Sequence, residues 1–274
     1  MDGNCDFVGE NLKKLFGLTG KKILLTGAAG GIGEALAEGL AGAGGEMLLC
    51  DIAAERLEAL VDKINLGGGA AAGFYLDVSK LDSISEAVDE IIAGAGRIDV
   101  LINCAGINIR EGILDVAEET YDRIMDINFK GLYFLSREVA KHMILQKSGN
   151  IINIASHNSV GMLGGCSVYG ASKSAVTALT RSMAVEWAKF GIRANAIAPG
   201  HFLTPLTKVT WDHPERGAYL RERIAMRRPG APDELVGVAV MLASDASSYM
   251  SGMMIHVDGG CLAGGSPWPF ASVY

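Results

Sequence analysis

Tyr169 and Lys173 stand four residues apart in Tyr169-Gly170-Ala171-Ser172-Lys173, a spacing that places both on one face of a helix. An ammonium beside a phenol stabilises the phenolate and draws the Tyr pKa down from about 10 toward neutrality, which makes a usable general base or acid. A lone pair of this kind is more often a surface helix pair. Here Ser156 lies thirteen residues earlier, at the end of the apolar run Asn150–Ala155, where its hydroxyl can hold a substrate oxygen.

A second constellation lies near the start of the chain. The run Thr26-Gly27-Ala28-Ala29-Gly30-Gly31-Ile32-Gly33 joins an apolar stretch to the helical Glu34-Ala35-Leu36-Ala37. A strand-to-helix turn that must admit a pyrophosphate needs residues without Cβ, so that backbone N–H groups and the helix N-terminus face the anion. The spacing Gly-x-x-x-Gly-x-Gly departs from the common Gly-x-Gly-x-x-Gly pattern. Asp51 follows Gly33 by eighteen residues, close to the roughly 20 expected for an acid on the adenosine ribose. A carboxylate there accepts from the ribose hydroxyls and repels a 2′-phosphate. At about 4 Å and an effective dielectric near 20 the repulsion is about 4 kcal/mol. Gly30 and Ile52 bring no cation beside it, so the sequence predicts NAD.

These residues need elements to position them. Short apolar runs at Ile23–Thr26, Met47–Asp51, Ala72–Leu76, Ile98–Asn103, Asn150–Ala155, Ile192–Ala198 and Met253–Val257 read as strands,. Helical patterns at Glu34–Ala43, Ala54–Ile64, Ile84–Ala93, Glu118–Leu145, Ser172–Phe190 and Pro232–Ala243 separate them. The alternation predicts an α/β fold: a doubly wound, seven-stranded parallel sheet of the Rossmann type, covered on both faces. No linker or repeat divides residues 1–274, which read as one domain with a substrate lid inserted at about 201–228,. In such sheets ligands lie across the carboxyl ends of the strands. That places Asp77 and Val78 after the third strand, and Asn103, Ala105 and Gly106 after the fourth, against adenine and ribose.

Composition bounds the rest. Of 274 residues, 36 are glycine, close to twice the roughly 7% of ordinary usage, yet no collagen period accompanies them. With 49% apolar and 20% charged residues the chain is not disordered,. A net charge of −7 without a basic run argues against nucleic acid,. No apolar stretch reaches the roughly 18 residues of a membrane span, and the first 22 residues lack a signal core, so a cytoplasmic protein is expected. Five scattered cysteines read as free thiols, and no His/Cys/Asp cluster has metal spacing, so no metal is expected and a zinc mechanism has no support,.

Together these residues resemble the short-chain dehydrogenase/reductase family over nearly the whole chain. The matching motifs are Thr26-Gly-x-x-x-Gly-x-Gly33, Asp51, Asp77, Asn103-Cys-Ala-Gly106, Asn128, Ser156, Tyr169-x-x-x-Lys173, Pro199-Gly200 and Val257-Asp258-Gly259-Gly260. Cys104 stands where many members have a second Asn, and Phe202 where a smaller aliphatic residue commonly touches the nicotinamide. The resemblance implies strand order 3-2-1-4-5-6-7, hydride transfer at a secondary alcohol or ketone, and a tetrad of Asn128, Ser156, Tyr169 and Lys173. It also implies cofactor contacts from Pro199, Gly200, Phe202 and Thr204, and a homotetramer built on the segments around 118–145 and 172–190. The segments Ala105–Arg110 and Pro199–Lys208 are similar to members acting on polyols and sugar acids such as gluconate, with Arg110, His157, Asn158 and His201 as substrate contacts. The competing readings are a reductase of 3-oxoacyl or other apolar ketones, and a non-catalytic NAD-binding sensor. The apolar tail 264–270 is expected to pack on a neighbouring subunit.

Overall fold

The apolar runs form parallel strands in a computed structural model that describes residues 3–265. They are β1 Lys22–Thr26, β2 Glu46–Asp51, β3 Ala70–Tyr75, β4 Val100–Asn103, β5 Gly149–Ile154, β6 Ile192–Pro199 and β7 Met254–Val257. They join in one sheet of order β3-β2-β1-β4-β5-β6-β7, every pair parallel, as expected. Successive side chains of a strand point to opposite faces, and here both faces are dry. Ile23 and Leu25 enter one core while Leu24 enters the other; Val100 and Ile102 divide from Leu101 in the same way. Two-sided burial is why these strands read as continuous apolar runs.

Helices α2 Gly31–Gly42, α3 Ala54–Leu66 and α10 Val236–Ala243 cover one face through Leu36, Leu40, Leu57, Leu60, Ala239 and Leu242. Helices α4 Leu81–Ala95, α6 Leu132–Gln146 and α7 Ser167–Trp187 cover the other through Ile84, Val88, Leu135, Val139, Val176 and Met183. The uninterrupted helix expected over 118–145 is instead α5 Glu118–Met125, a π-helical turn at Asp126–Gly131, and α6. Helix α7 starts five residues earlier than the sequence suggests, which brings Tyr169 inside it. The preceding helix α1 Gly3–Phe16 was not expected. Between β6 and α10, the insertion holds α8 Lys208–Asp212 and α9 Pro214–Arg223. It is pinched at its base, where Gly230 N donates to His201 O (2.9 Å) and Leu203 N to Gly230 O (2.9 Å). Trp211 is buried against Leu220 and Ile224. Among the described residues no helix is long and apolar enough to cross a membrane. The tail from Ser266 onward, expected to meet another subunit, lies outside the described residues.

Candidate active site

The carboxyl ends of β1, β4, β5 and β6 meet in one cleft, and each contributes through a short turn. At β1, Gly27 takes φ +67°, and a Cβ there would stand 2.8 Å from the Ala105 backbone. A Cβ at Gly33 would stand 2.0 Å from the Gly27 carbonyl, so α2 begins hard against the turn only because both residues are glycine,. A Cβ at Gly31 would fall 2.9 Å from Thr204 Cβ, which places Thr204 against the helix start. No side chain caps α2 at Gly30. The N–H groups of its first turn, at Gly31, Ile32 and Gly33, therefore lack intrahelical partners and are aimed at an anion. This cradle fits a dinucleotide pyrophosphate.

Asp51 ends β2 with both carboxylate oxygens engaged: Oδ2 accepts from Ala29 N (3.0 Å) and Oδ1 from Ala53 N (2.9 Å). The sequence showed no cation beside it, but the fold supplies one. Arg56, in the first turn of α3, donates to the Ala29 carbonyl, so one peptide turn is gripped by an anion and a cation. Thr26 Oγ1 accepts from Cys104 N and Ala105 N (both 3.2 Å), locking the β4 end, with Gly106 beyond it, to the glycine turn. After β3, Asp77 accepts from Ser79 N (3.0 Å) and Ser79 Oγ (2.6 Å), bonds that hold its carboxyl below the usual range. The neighbouring Val78 is buried beside Gly131, where a Cβ would stand 2.2 Å from the Val78 carbonyl.

The side chain of Asn103 lies within the sheet. Its register partner is Asn153, and Nδ2 donates to Asn153 Oδ1 (2.8 Å) and to Ser136 Oγ (2.9 Å), in the interior of the sheet. Phe202 also turns inward. It is 6% exposed, belongs to the apolar core, and lays its ring where a Gly230 side chain would stand. Pro199 and Gly200 close β6, and Gly200 N donates to Val257 O (2.9 Å).

The expected tetrad converges. Asn128 is fully buried in the π-helical turn. It clamps Ile107 from both sides, accepting from its N–H (2.8 Å) and donating to its carbonyl (2.9 Å), and donates to Ser172 Oγ (3.2 Å). Gly106 lies between Asn128 and Lys173, since a Cβ there would be 3.3 Å from Asn128 Oδ1 and 3.4 Å from Lys173 Nζ. Lys173 Nζ donates to the Ile154 carbonyl (2.7 Å) and stands 5.9 Å from the Tyr169 ring centroid. Ser156 lies close enough to the Tyr169 hydroxyl to draw its pKa down, and Ser156 Oγ accepts from Asn158 N (3.1 Å). Burial pushes the Tyr169 phenol up and the Lys173 ammonium down to about 8, while the nearby Ser156 hydroxyl pulls Tyr169 part of the way back. The downward shift of Tyr169 expected from Lys173 is thus not what the free chain shows, because desolvation outweighs an ammonium held on a carbonyl.

At the mouth, His157 and His201 stack edge to face with ring centroids 4.4 Å apart. Burial lowers both pKa values, that of His201 to about 3, so both imidazoles are neutral near pH 7. Asn158 is buried beside His157, Arg110 is exposed, and the positive field of Arg110 reaches His201. The side-chain oxygens of Asn108 and Asn158, and Nδ1 of His157, are buried without a hydrogen-bond partner.

The family described as enoyl-(acyl carrier protein) reductase matches residues 27–261, from the glycine turn to Cys261. The chain is a short-chain dehydrogenase/reductase. It is 40% identical to the 5-keto-D-gluconate 5-reductase of Escherichia coli (strain K12) over 251 residues, 92% of this chain and 99% of that protein. It is 38% identical to a 3-oxoacyl-[acyl-carrier-protein] reductase of Thermotoga maritima over 245 residues, 89% and 98% of the two chains. A crystal structure of a gluconate 5-dehydrogenase from Burkholderia cenocepacia, in complex with NADP and tartrate, superposes with a TM-score of 0.89 at 37% identity, covering 92% of this chain and 98% of that one.

As a short-chain dehydrogenase/reductase the chain is an oxidoreductase of alcohol and ketone substrates that uses a nicotinamide cofactor. When bound, the nicotinamide accepts or supplies the hydride. With Ser156 beside the Tyr169 hydroxyl, the arrangement is chemically suited to holding one substrate oxygen and exchanging its proton,. Lys173 supplies the ammonium behind Tyr169, and Asn128 fixes the backbone of Ile107 beside it. Two groups at this cleft carry no local sequence signal. Arg56 reads as an ordinary helix surface cation, and Cys261, which the fold carries to His157 and His201, reads as a lone thiol.

Proposed function

We propose that the chain is an NAD-preferring dehydrogenase that interconverts a secondary alcohol and a ketone on a polyhydroxylated substrate, a polyol, sugar or sugar acid of the gluconate type. The observation that carries the substrate class is the polar mouth: Asn158 N donates to Ser156 Oγ, the His157 and His201 rings pack beside it, and the field of Arg110 reaches His201. An acyl chain laid across such groups desolvates them without a bond in return, whereas substrate hydroxyls bond to them. Arg110, exposed at the same mouth, suits a substrate carboxylate,. The gluconate-related names of relatives support this reading. Asn128, Ser156, Tyr169 and Lys173 act as the tetrad. The cofactor lies along Gly27–Gly33, Asp51, Asp77–Val78, Ala105–Gly106, Pro199–Gly200 and Thr204.

Asp51 favours NAD because its carboxylate faces the ribose position at the end of β2. Arg56 opposes it, so the preference is narrower than the acid alone sets. The B. cenocepacia structure, which carries NADP, accords with a family in which this choice varies. Initial rates for gluconate, a polyol series and a 3-hydroxyacyl thioester, each with NAD and NADP, test the proposal. The fastest turnover is expected with a polyhydroxylated substrate and NAD, and a thioester faster than every polyol and sugar acid overturns it.

The 3-oxoacyl reading is favoured by the T. maritima relative and opposed by the polar mouth. Free thiols at Cys50, Cys104, Cys166 and Cys261 suit a cytoplasmic protein,. Exposed Tyr121, Tyr133, Leu145 and Val185 on α5–α7 suit burial in a homotetramer,.

A further inference from the structure

His157 and His201 are 44 residues apart, and Cys261 lies another 60 along the chain, yet the three converge. One ring nitrogen from each histidine and the Cys261 sulfur all lie within 4.8 Å of one another. Among the described residues this is the one group of three or more His, Cys, Asp or Glu side chains that meets so. The topology explains it: the three residues follow β5, β6 and β7, which are neighbours in the sheet, so three adjacent carboxyl ends each contribute one donor.

We propose that His157, His201 and Cys261 form a binding site for a single transition-metal ion of the zinc class, with its remaining coordination position open to the substrate cleft. Two imidazoles and a thiolate are a donor set that zinc-class ions select over magnesium or calcium. With metal–nitrogen and metal–sulfur bonds of about 2.1 and 2.3 Å, the tetrahedral ligand atoms stand about 3.4–3.6 Å apart. A contraction of up to about 1.4 Å closes the site, within reach of side-chain rotation. His157 is 6% exposed and its Nδ1 has no partner, so the chain holds a buried polar group that its own structure leaves unanswered.

The support behind the third ligand is fixed. Asp258 Oδ1 accepts from Gly260 N and Oδ2 from Leu262 N (both 2.9 Å), and Cys261 N donates to the Asp258 carbonyl (3.2 Å). Gly259 and Gly260 take the positive φ values of +62° and +80° that this turn requires. Cys261 also packs on Trp211, Leu220 and Ile224, so an ion here ties three strand ends to the helical insertion. Asp258 favours a cation at the histidines, while Arg110 and Arg223 oppose one. That opposition makes the expected affinity weaker than that of a structural zinc site. The position beside Ser156 makes the ion a competitor of substrate, so zinc inhibits reversibly and a chelator restores turnover.

The test uses the full chain, stripped with a chelator and titrated with Co²⁺. One equivalent is expected to bind with a near-ultraviolet thiolate-to-cobalt band and intense tetrahedral visible bands, and Zn²⁺ displaces it. Cys261→Ser is expected to keep metal-free turnover and to lose the near-ultraviolet band. Its affinity falls by more than the roughly 10- to 100-fold that loss of an outer partner costs. His201→Gln, followed by equilibrium dialysis, is expected to weaken binding as well and gives a second variant if the first does not fold. No band at one equivalent overturns the proposal. So does a band and affinity that survive Cys261→Ser, since another thiol would then be the ligand. Because binding is read without substrate, failure here is separate from failure of the proposed activity.

Discussion

Replacing Lys173 by Met is expected to abolish turnover and yet stabilise the protein at neutral pH. Lys173 is buried at 3% exposure, and its ammonium is held at about 8 against an ordinary 10.5. That difference corresponds to about 3 kcal/mol of disfavoured charge at pH 7. Met, of similar length, removes the charge but leaves the Ile154 carbonyl without its 2.7 Å donor, a loss of about 1 kcal/mol. The net gain is about 2 kcal/mol, or a Tm rise of about 4–8 °C for a chain of this size. The sign depends on pH. Between 8 and 10.5 the unfolded chain holds a proton that the folded chain releases, so the parent gains stability as pH rises through that window. The advantage of the variant should therefore shrink above pH 8 and reverse near 10.5. Thermal melts of both proteins at pH 7 and pH 10.5 check this. A variant less stable than the parent at pH 7, or a difference that does not change with pH, refutes the claim that burial of the ammonium is a cost carried for catalysis.

Tyr169→Phe keeps the ring packing and removes the proton donor. Cofactor binding, followed by nicotinamide fluorescence, should persist while turnover falls by about 10²- to 10⁴-fold; turnover within tenfold of the parent would sink its assignment. Asp51 alone would set a preference for NAD of about a thousandfold from its repulsion of a 2′-phosphate. Arg56→Ala should widen the NAD:NADP ratio of kcat/KM and Asp51→Asn should narrow it. Ratios that move the other way would place neither group at the ribose. His201 is held at about 3 and the unfolded histidine titrates near 6.5. Below 6.5 the unfolded chain takes up a proton that the folded chain refuses, and stability falls with pH. His201→Gln should flatten that fall between pH 6.5 and 4 in urea titrations, and parallel slopes for the two proteins would show that His201 is not its source.

Most of the sheet was legible because a parallel strand buried on both faces leaves an unmistakable apolar run, and each such run in this chain ends on a chemical residue. β3 was placed two residues late because it is an edge strand whose Ala70–Tyr75 run is largely exposed and weakly apolar. The π-helical turn was not legible. Apolar periodicity cannot separate one wide turn from a continuous helix, and it is the backbone of Ile107, a loop residue, that Asn128 is turned to meet. Asn103 stands at the strand end where it is expected, and strand register, which sequence alone does not fix, turns its side chain toward Asn153 and the interior. The convergence of Cys261 with His157 and His201 was hidden entirely, since ligand spacing along the chain carries no information when three separate strands deliver the ligands.

The mouth decides between the two substrate classes by free energy rather than by resemblance. The cofactor turn, the tetrad and the sheet suit hydride transfer to an apolar ketone as well as to a sugar acid. What differs is the fate of the polar mouth, where Asn158, His157, His201 and Arg110 gather by Ser156. Each polar group that an acyl chain desolvates without a bond costs about 1–3 kcal/mol. Two such groups bonded by substrate hydroxyls are worth about 2–6 kcal/mol, a factor of about 30 to 10⁴ in kcat/KM. The same reasoning predicts which variant erodes the discrimination. Asn158→Leu removes one polar group of the mouth and places apolar surface one residue from His157 and two from Ser156, so the polyol rate should fall while any residual activity on an apolar hydroxyacyl thioester holds or rises. Kinetics on the two substrates with the parent and this variant give the ratio directly. A ratio that Asn158→Leu leaves unchanged would mean that Asn158 does not bear on the substrate, and the polar reading of the mouth would fall with it.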